Sequence, residues 1–549
     1  MKPDTFALKA VCLGLVVAVL CSCSNDAAKN AEWEKKHKAA IENFIARSNG
    51  TLKVGSIAVS ALDKSFTLDN VTGSVSVPVN YPVPGAGTAQ SQFEFSMARV
   101  RGEGLNTSDA PGTADTLKKL TVTDWVMSSK FEGLFKDQPS PGQETPVRLE
   151  TVTSKGSASE YAYHDVKGDF SVFPDLFFGR FDKEAVAKLA TFSIGEGTMK
   201  NLLGEGFVPD IGGGAGGKTQ SIRYTAASVS QKAFDVNGAG PAEMKDIGFF
   251  FGDRQVASME TMSIKSMAIP GLMEKLLPLD ELWQKEEEEL KKIMLEQEIV
   301  VDDMRVANLR ITPEPDITFT LKDGGFSFRN DKSAGALKID VQDLVIPLEA
   351  LYDGKDTGES SIDFKSVYDK PLSISLVFDL DREQKASQAG EYVIRLKRIY
   401  FAESNLGSVN VSAEMNGKTD EQAEENEYPF DLDGFSLVRA ALGIKDSGMV
   451  DLGFRVAALM DGTGLAKEDR AALLRKLAGF VLTTQCARVS QALHGVCMDL
   501  DKFIQVPGEF ELSFAPSQPL RLDELAEMLM SADDPKKIGL SWKYTPPKQ

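Results

Sequence analysis

Residues 51–80 read TLKVGSIAVSALDKSFTLDNVTGSVSVPVN. Leu52 and Val54, then Phe66 and Leu68, then Val75 and Val77 alternate with polar neighbours, and Pro78, Pro82, Pro84 and Gly85 close the block. Side chains of a strand point to opposite faces in turn, so a period of two describes strands with one dry and one wet face. Comparable segments return at Phe93-Glu94-Phe95, Val147-Arg148-Leu149, Ile222-Arg223-Tyr224, Met304-Arg305-Val306, Leu337-Lys338-Ile339, Val393-Ile394-Arg395-Leu396 and Ser408-Val409-Asn410-Val411. Their spacing is irregular, so the chain is no solenoid. The expected fold is α+β: predominantly antiparallel β-sheet, elongated or curled, with interspersed amphipathic helices.

Helical spacing marks the interruptions. Ser24-Asn25-Asp26 can cap a helix beginning near Ala27, in which Trp33, His37, Ala40, Ile41, Phe44 and Ile45 form one stripe up to Gly50. His37 stands beside Lys35, Lys36 and Lys38 and reads as an exposed position. Amphipathic helices are also expected over Asp175–Ala190 and about Leu279–Gln297. The run Glu286–Glu289 in the latter is a solvated face, because four consecutive residues point around most of the cylinder. The expected division is 1–22, 23–50, a β-rich domain 51–278, the charged helix 279–298, a second β-rich domain 299–415, an acidic linker 416–427 and an α+β domain 428–549. Within that last domain the pattern predicts a helix near Phe435–Leu442, a strand over Met449–Met460, helices through His494, a strand at Phe510–Phe514, a short helix after Pro519, and a strand from Ile538 to Tyr544.

The first residues carry an address. Lys2 and Lys9 precede an apolar run from Ala10 to Leu20, followed by Cys21-Ser22-Cys23. That run is short of the ~20 apolar residues needed to cross ~30 Å of hydrocarbon, so it reads as a secretion signal. Leu20, Ser22 and Cys23 resemble the box of a bacterial lipoprotein signal; Cys21 departs, since Ala or Ser is usual there. The resemblance implies a lipid on Cys23, removal of residues 1–22 and a periplasm-facing chain tethered to a membrane. Ser24 in place of Asp leans toward the outer membrane, with the inner membrane open, and an ordinary cleaved signal is the other reading.

The formal net charge is −19, which disfavours nucleic acid and anionic lipid surfaces as partners. Of the cysteines at 12, 21, 23, 486 and 497, only Cys486 and Cys497 remain after such processing. One even pair suits a disulfide in an oxidising compartment. A straight helix would hold the two about 16 Å apart along its axis, so the bond needs a break, expected at His494-Gly495; two separate buried thiols are the alternative. Aromatic usage is 31 Phe against 10 Tyr and 4 Trp. Phe is an apolar filler where sugar clefts want Trp and Tyr, so the Phe read as core or lipid-facing wall.

The strand openings Val54-Gly55-Ser56-Ile57-Ala58-Val59 and Met304-Arg305-Val306-Ala307-Asn308-Leu309-Arg310-Ile311 resemble those of AsmA-like periplasmic proteins. The likeness covers about residues 51–415 and is one of texture. It implies long sheets curled into an apolar groove and a role in moving or organising envelope lipids. Those proteins usually carry a transmembrane helix, from which this chain departs.

Motifs for chemistry are sparse. Gly212-Gly213-Gly214-Ala215-Gly216-Gly217-Lys218-Thr219 matches G-x-x-x-x-G-K-[ST]. That loop needs a strand before and a helix after, whereas Pro209 interrupts the approach and Ser221–Ala226 alternates like a strand; it reads as a glycine linker, with no nucleotide. Neither G-x-S-x-G nor H-E-x-x-H occurs, and the histidines are His37, His164 and His494. His164 is the one triad candidate in the β-rich region and reads as a surface strand residue. Cys486, His494 and Cys497 lack the fourth ligand of a structural zinc site. Asp379 with Asp381, and Asp431 with Asp433, lack the neighbouring Trp or Tyr of a glycosidase pair. Asp431-Leu432-Asp433-Gly434 resembles the start of a calcium loop without its later ligands. The reading is a lipid-anchored envelope protein, not an enzyme, that binds lipid in an apolar groove or acts structurally, with no cofactor and no metal. The alternatives are an envelope hydrolase using His164 or a carboxylate pair, and a scaffold for envelope proteins.

Overall fold

The structure, a computed structural model, describes residues 27–547 apart from 49, 81–87, 107–113, 137–146, 171–186, 189–190, 209–219, 236, 271–297, 332–333, 352–366, 386–390, 419–434, 461–466 and 532–533. The signal and Cys23, the helix expected over 279–297, almost all of the one over 175–190, the glycine loop 212–219, and Asp431 and Asp433 lie outside the described residues. The chain divides into two compact units, Met1–Ile299 and Val300–Gln549. The fold is α+β and mostly antiparallel β, as the alternation predicts.

Unit 1 opens with helix α1 (Ala27–Arg47) and short strands β1 (Leu52–Lys53) and β2 (Ser56–Ser60), both paired to β3 (Ser65–Asn80). A meander follows: β4 (Thr88–Asn106), β5 (Asp115–Lys136), β6 (Val147–Gly168), β7 (Ser193–Val208), β8 (Gln220–Asp235), β9 (Gly238–Ala239), β10 (Ala242–Phe251), β11 (Arg254–Ile264) and β12 (Ser266–Ala268). Trp33, Ile41 and Phe44 of α1 join the core that Phe66, Leu68, Met97, Val100, Leu120 and Trp125 supply from the dry face. Glu34 Oε1 accepts the Ala61 N–H at 2.9 Å and ties the helix to the β2–β3 turn. His37 corrects the expectation of exposure. It is fully buried, its ring stacked on Trp33 at 3.9 Å between centroids, and its Nδ1–H donates to the Trp33 carbonyl at 2.7 Å. Three flanking lysines are compatible with a buried residue because only one of four successive helix positions need face the sheet.

Two lines of irregularity cross this sheet. By register, Asn70, Ala98, Asp124, Ser159, Asn201, Ala227 and Asp246 face one another from β3 to β10. Asn70, Asp124, Asn201 and Asp246, on alternate strands, have φ of 49–52°. Six residues along, Lys64, Gly104, Lys118, Asp165, Gly195 and Ala233 form a second line, left-handed at Gly104, Asp165 and Ala233 on the other strands and at Lys64 in the turn before β3. Asn and Asp tolerate this conformation better than other residues with a Cβ. At each line the inward step lengthens from two residues to three: Leu68 to Val71, Met97 to Val100, Leu117 to Leu120, Val122 to Trp125. Partner strands gain their extra residue at the same level, so pairing stays in register across the crease.

Unit 2 comprises β13 (Ile299–Glu314), β14 (Ile317–Asn330), β15 (Ala334–Ile346), the turn α2 (Leu348–Leu351), β16 (Leu372–Gln384), β17 (Glu391–Glu403), β18 (Gly407–Lys418), β19 (Ser436–Asp446), α3 (Met449–Met460), α4 (Lys467–Val489), α5 (Gln491–Gln505), β20 (Glu509–Phe514), β21 (Leu520–Arg521), α6 (Leu522–Ser531) and β22 (Leu540–Thr545). Antiparallel pairing runs in order from β14 to β20 and on to β22. Three expectations are corrected here. Residues 436–446 are a strand paired to β18 on one side and β20 on the other, not a helix. Met449–Met460 is a helix, not a strand: Asp446 accepts the Val450 and Gly448 N–H groups at its start, and Asp451 pairs with Arg455 one turn on. The break expected at Gly495 falls instead at Ser490, between α4 and α5. Gly495 continues α5, where a Cβ would come within 2.5 Å of the Trp542 ring.

Candidate functional site

The sheet of unit 2 separates its faces by chemistry. In register, Phe326, Ile339, Phe378, Ile399, Val411, Leu442, Leu512 and Trp542 form a row from β14 to β22. Beside it run Phe328, Leu337, Leu380, Leu396, Ala413, Ala440 and Phe514, and on the other side Val341, Leu376, Phe401, Val409, Ile444 and Phe510. Opposed residues of a sheet share a face, so these rows make one apolar surface. The opposite face is laced with charge: Lys397 and Arg395 on Asp381, Arg395 on Glu383, and Arg439 on Glu414.

Helices cover this apolar surface at one side. Val496, Leu500 and Phe503 of α5 and Leu525 and Met528 of α6 pack on Leu437, Phe510, Phe514 and Leu540. From β14 to β17 none of the row residues is fully buried, and Phe326 and Phe401 are each 38% exposed. Among the described residues no element joins them in a core cluster. The open part spans three inter-strand gaps, about 14 Å, and from Ile374 to Arg382 along β16 about 26 Å.

The two ends differ. At one, Glu403 is 3% exposed and accepts from Tyr368 Oη and from the N–H groups of Ser373, Asn405 and Leu406. Burial pushes its carboxyl up, but those hydrogen bonds outweigh it and hold the group below the usual carboxylate range. Every oxygen is engaged in shaping the β17–β18 turn. At the other end Arg382 occupies the same face as Leu380, opposite Ile394 and Gly335. It lies over the Tyr392 ring at 5.1 Å and donates from Nη2 to the Asp331 carbonyl at 3.3 Å. Its Nε is buried and lacks a hydrogen-bond partner, and no ion pair engages it among the described residues.

The residues singled out for chemistry are not brought together. His164 lies half-buried in mid-sheet between Lys119 and Glu196 of neighbouring strands. Asp381 is held by Lys397 at 2.6 Å, and Asp379 faces Arg398, so this pair forms part of an ion ladder. Cys497 is 6% exposed and disulfide-bonded, three residues from the exposed His494; the side chain of Cys486 lies outside those described. In unit 1 a depression of about 390 Å³ on the wet face is walled by Thr51, Thr72, Ser74, Ser96 and Ser128, with Lys53 and Glu94. It contains hydroxyls but no histidine among the residues that wall it. Arg382 escaped the reading of the sequence; its signal was a lone cation at an inward position of the alternation Leu376, Phe378, Leu380.

A family model described as "Uncharacterized protein" matches residues 400–544, from β17 to β22. No curated protein and no solved structure matches the chain.

Proposed function

We propose that this chain is a lipid-binding protein of the cell envelope, tethered through a lipid on Cys23 and holding an acyl chain on the apolar face of unit 2. The carrying observation is that face: Phe326, Phe378, Leu380, Ile399 and Phe401 lie in continuous rows across β14–β17 with no described element packed on them. Contiguous exposed apolar area of this kind marks a binding surface in a folded protein. At about 26 Å it exceeds the ~15 Å half-thickness of a hydrocarbon core, the depth an acyl chain spans. No helix among the described residues is long and apolar enough to cross a membrane. The proposed tether is the N-terminal lipid on Cys23. Mass spectrometry of organic extracts from purified protein tests the reading: reproducible acyl species beyond the anchor, lost on Phe378→Asp with Phe401→Asp, support it. Extracts without such species, from protein whose β-sheet circular dichroism is intact, would overturn it.

A further inference from the structure

We infer that Arg382 is the head-group anchor of that site, and that its ligand is a lipid with an anionic head, carboxylate or phosphate. This rests on the lipid-binding reading above. Among the described residues the apolar face is otherwise free of charge along its rows, and the one cation on it sits at an end, where a head group would emerge while the chain lies along Leu380, Phe378 and Leu376. An arginine left on such a surface without an acidic partner is costly unless an anion completes it. Arg382 is held in place and left incomplete: its guanidinium lies over the Tyr392 ring and Asp331 takes one Nη2 proton, while Nε has no acceptor. Nε itself is enclosed, so the N–H groups left for a ligand are those of the Nη1–Nη2 edge. A guanidinium offers two parallel N–H groups to a carboxylate or phosphate, which selects an anionic head over a neutral one. The other end of the face cannot serve, because the oxygens of Glu403 are occupied and negative.

The test compares three probes on the full chain: oleate, 1-oleoyl lysophosphatidate and methyl oleate, displacing a fluorescent fatty acid. Wild type is expected to bind both anions at least ~10-fold more tightly than the ester, since a charged hydrogen bond is worth about that or more. In Arg382→Gln the preference disappears while methyl oleate binds as before, which also shows the fold intact; Arg382→Lys keeps the charge without the fork and retains part of it. Whichever anion wild type binds more tightly identifies the head. Anion preference surviving in Arg382→Gln, or wild type binding the ester as tightly as oleate, overturns the anchor and leaves the apolar site standing. Failure of all three probes to bind wild type overturns both.

Discussion

The imidazole of His37 lies against the indole of Trp33, ring centroids 3.9 Å apart, inside the α1–sheet interface. Burial lowers its pKa from the ordinary ~6.5, with Lys36 adding to the effect and the bond to the Trp33 carbonyl opposing it. A lowered folded value means that the unfolded chain takes up the proton first. The associated stability is present above ~6.5 and is lost as pH falls below it, by at most ~1.4 kcal/mol per pH unit. Urea midpoints at pH 7.5 and 5.5 should therefore differ, and His37→Phe should shrink the difference. An equal shift in both proteins would remove His37 as its source.

Gly73 lies directly across from Phe95, whose ring occupies the space a Cβ would take, 2.2 Å from its nearest carbon. Gly73→Ala must displace that ring from a packed core and should cost about 1–3 kcal/mol. Gly443 has nothing within 4 Å of its built Cβ, so Gly443→Ala should stay within about 1 kcal/mol of wild type. Chemical denaturation of the two variants compares them.

Removing the Glu403 carboxylate leaves the N–H groups of Ser373, Asn405 and Leu406 short of an acceptor. Glu403→Ala should destabilise by more than about 2 kcal/mol, and Glu403→Gln by less, because its remaining oxygen still accepts. Hydrogen exchange at Asn405 and Leu406 should rise in the alanine variant. Unchanged protection there would mean that the turn is held by its backbone alone.

Cys497 is disulfide-bonded, and Cys486 is the expected partner across the break at Ser490. Closing a loop of that length contributes about 3 kcal/mol in the chain-entropy picture. Cys486→Ser and Cys497→Ser should then lower the melting temperature equally, and the double variant no further. Unequal losses would point to a different pairing.

The lipid tether predicts that Cys23→Ala accumulates as an unprocessed or soluble species that leaves the detergent phase. Partition identical to wild type would refute lipidation at that residue.

Much of the sheet was legible because one face is dry: Leu337-Lys338-Ile339, Val393–Leu396 and Ser408–Val411 all fall within strands. The extent of the strands was not. β5 keeps Leu117, Leu120, Val122, Trp125 and Met127 inside at steps of three, two, three and two, so a strict period of two finds only fragments of it. The exchange of helix and strand around Asp446 has a similar origin. Val450, Leu452, Phe454 and Val456 alternate with Asp451, Gly453 and Arg455, and only the cap at Asp446 and the spacing of Asp451 and Arg455 speak for the helix. His37 was misplaced because charge on three neighbours says nothing of the fourth. The apolar face needs pairing across distant residues, Phe326 with Ile339, Phe378 and Ile399, which no local window contains.

The creases of unit 1 constrain how such a chain can drift. Each strand from β3 to β8 carries its surplus residue at the level of its neighbours'. Loss of the surplus residue between Val122 and Trp125 would restore the ordinary two-residue step in β5 alone, leaving β4 and β6 one residue longer at that level and throwing β5 out of step with both beyond that point. Substitutions can accumulate within the strands, but length can change only in the connections between them or in a whole row at once. The six-residue interval between the two lines is thus a ruler shared by every strand that crosses them, and descendants of this sequence should preserve it after the side chains around it have been exchanged.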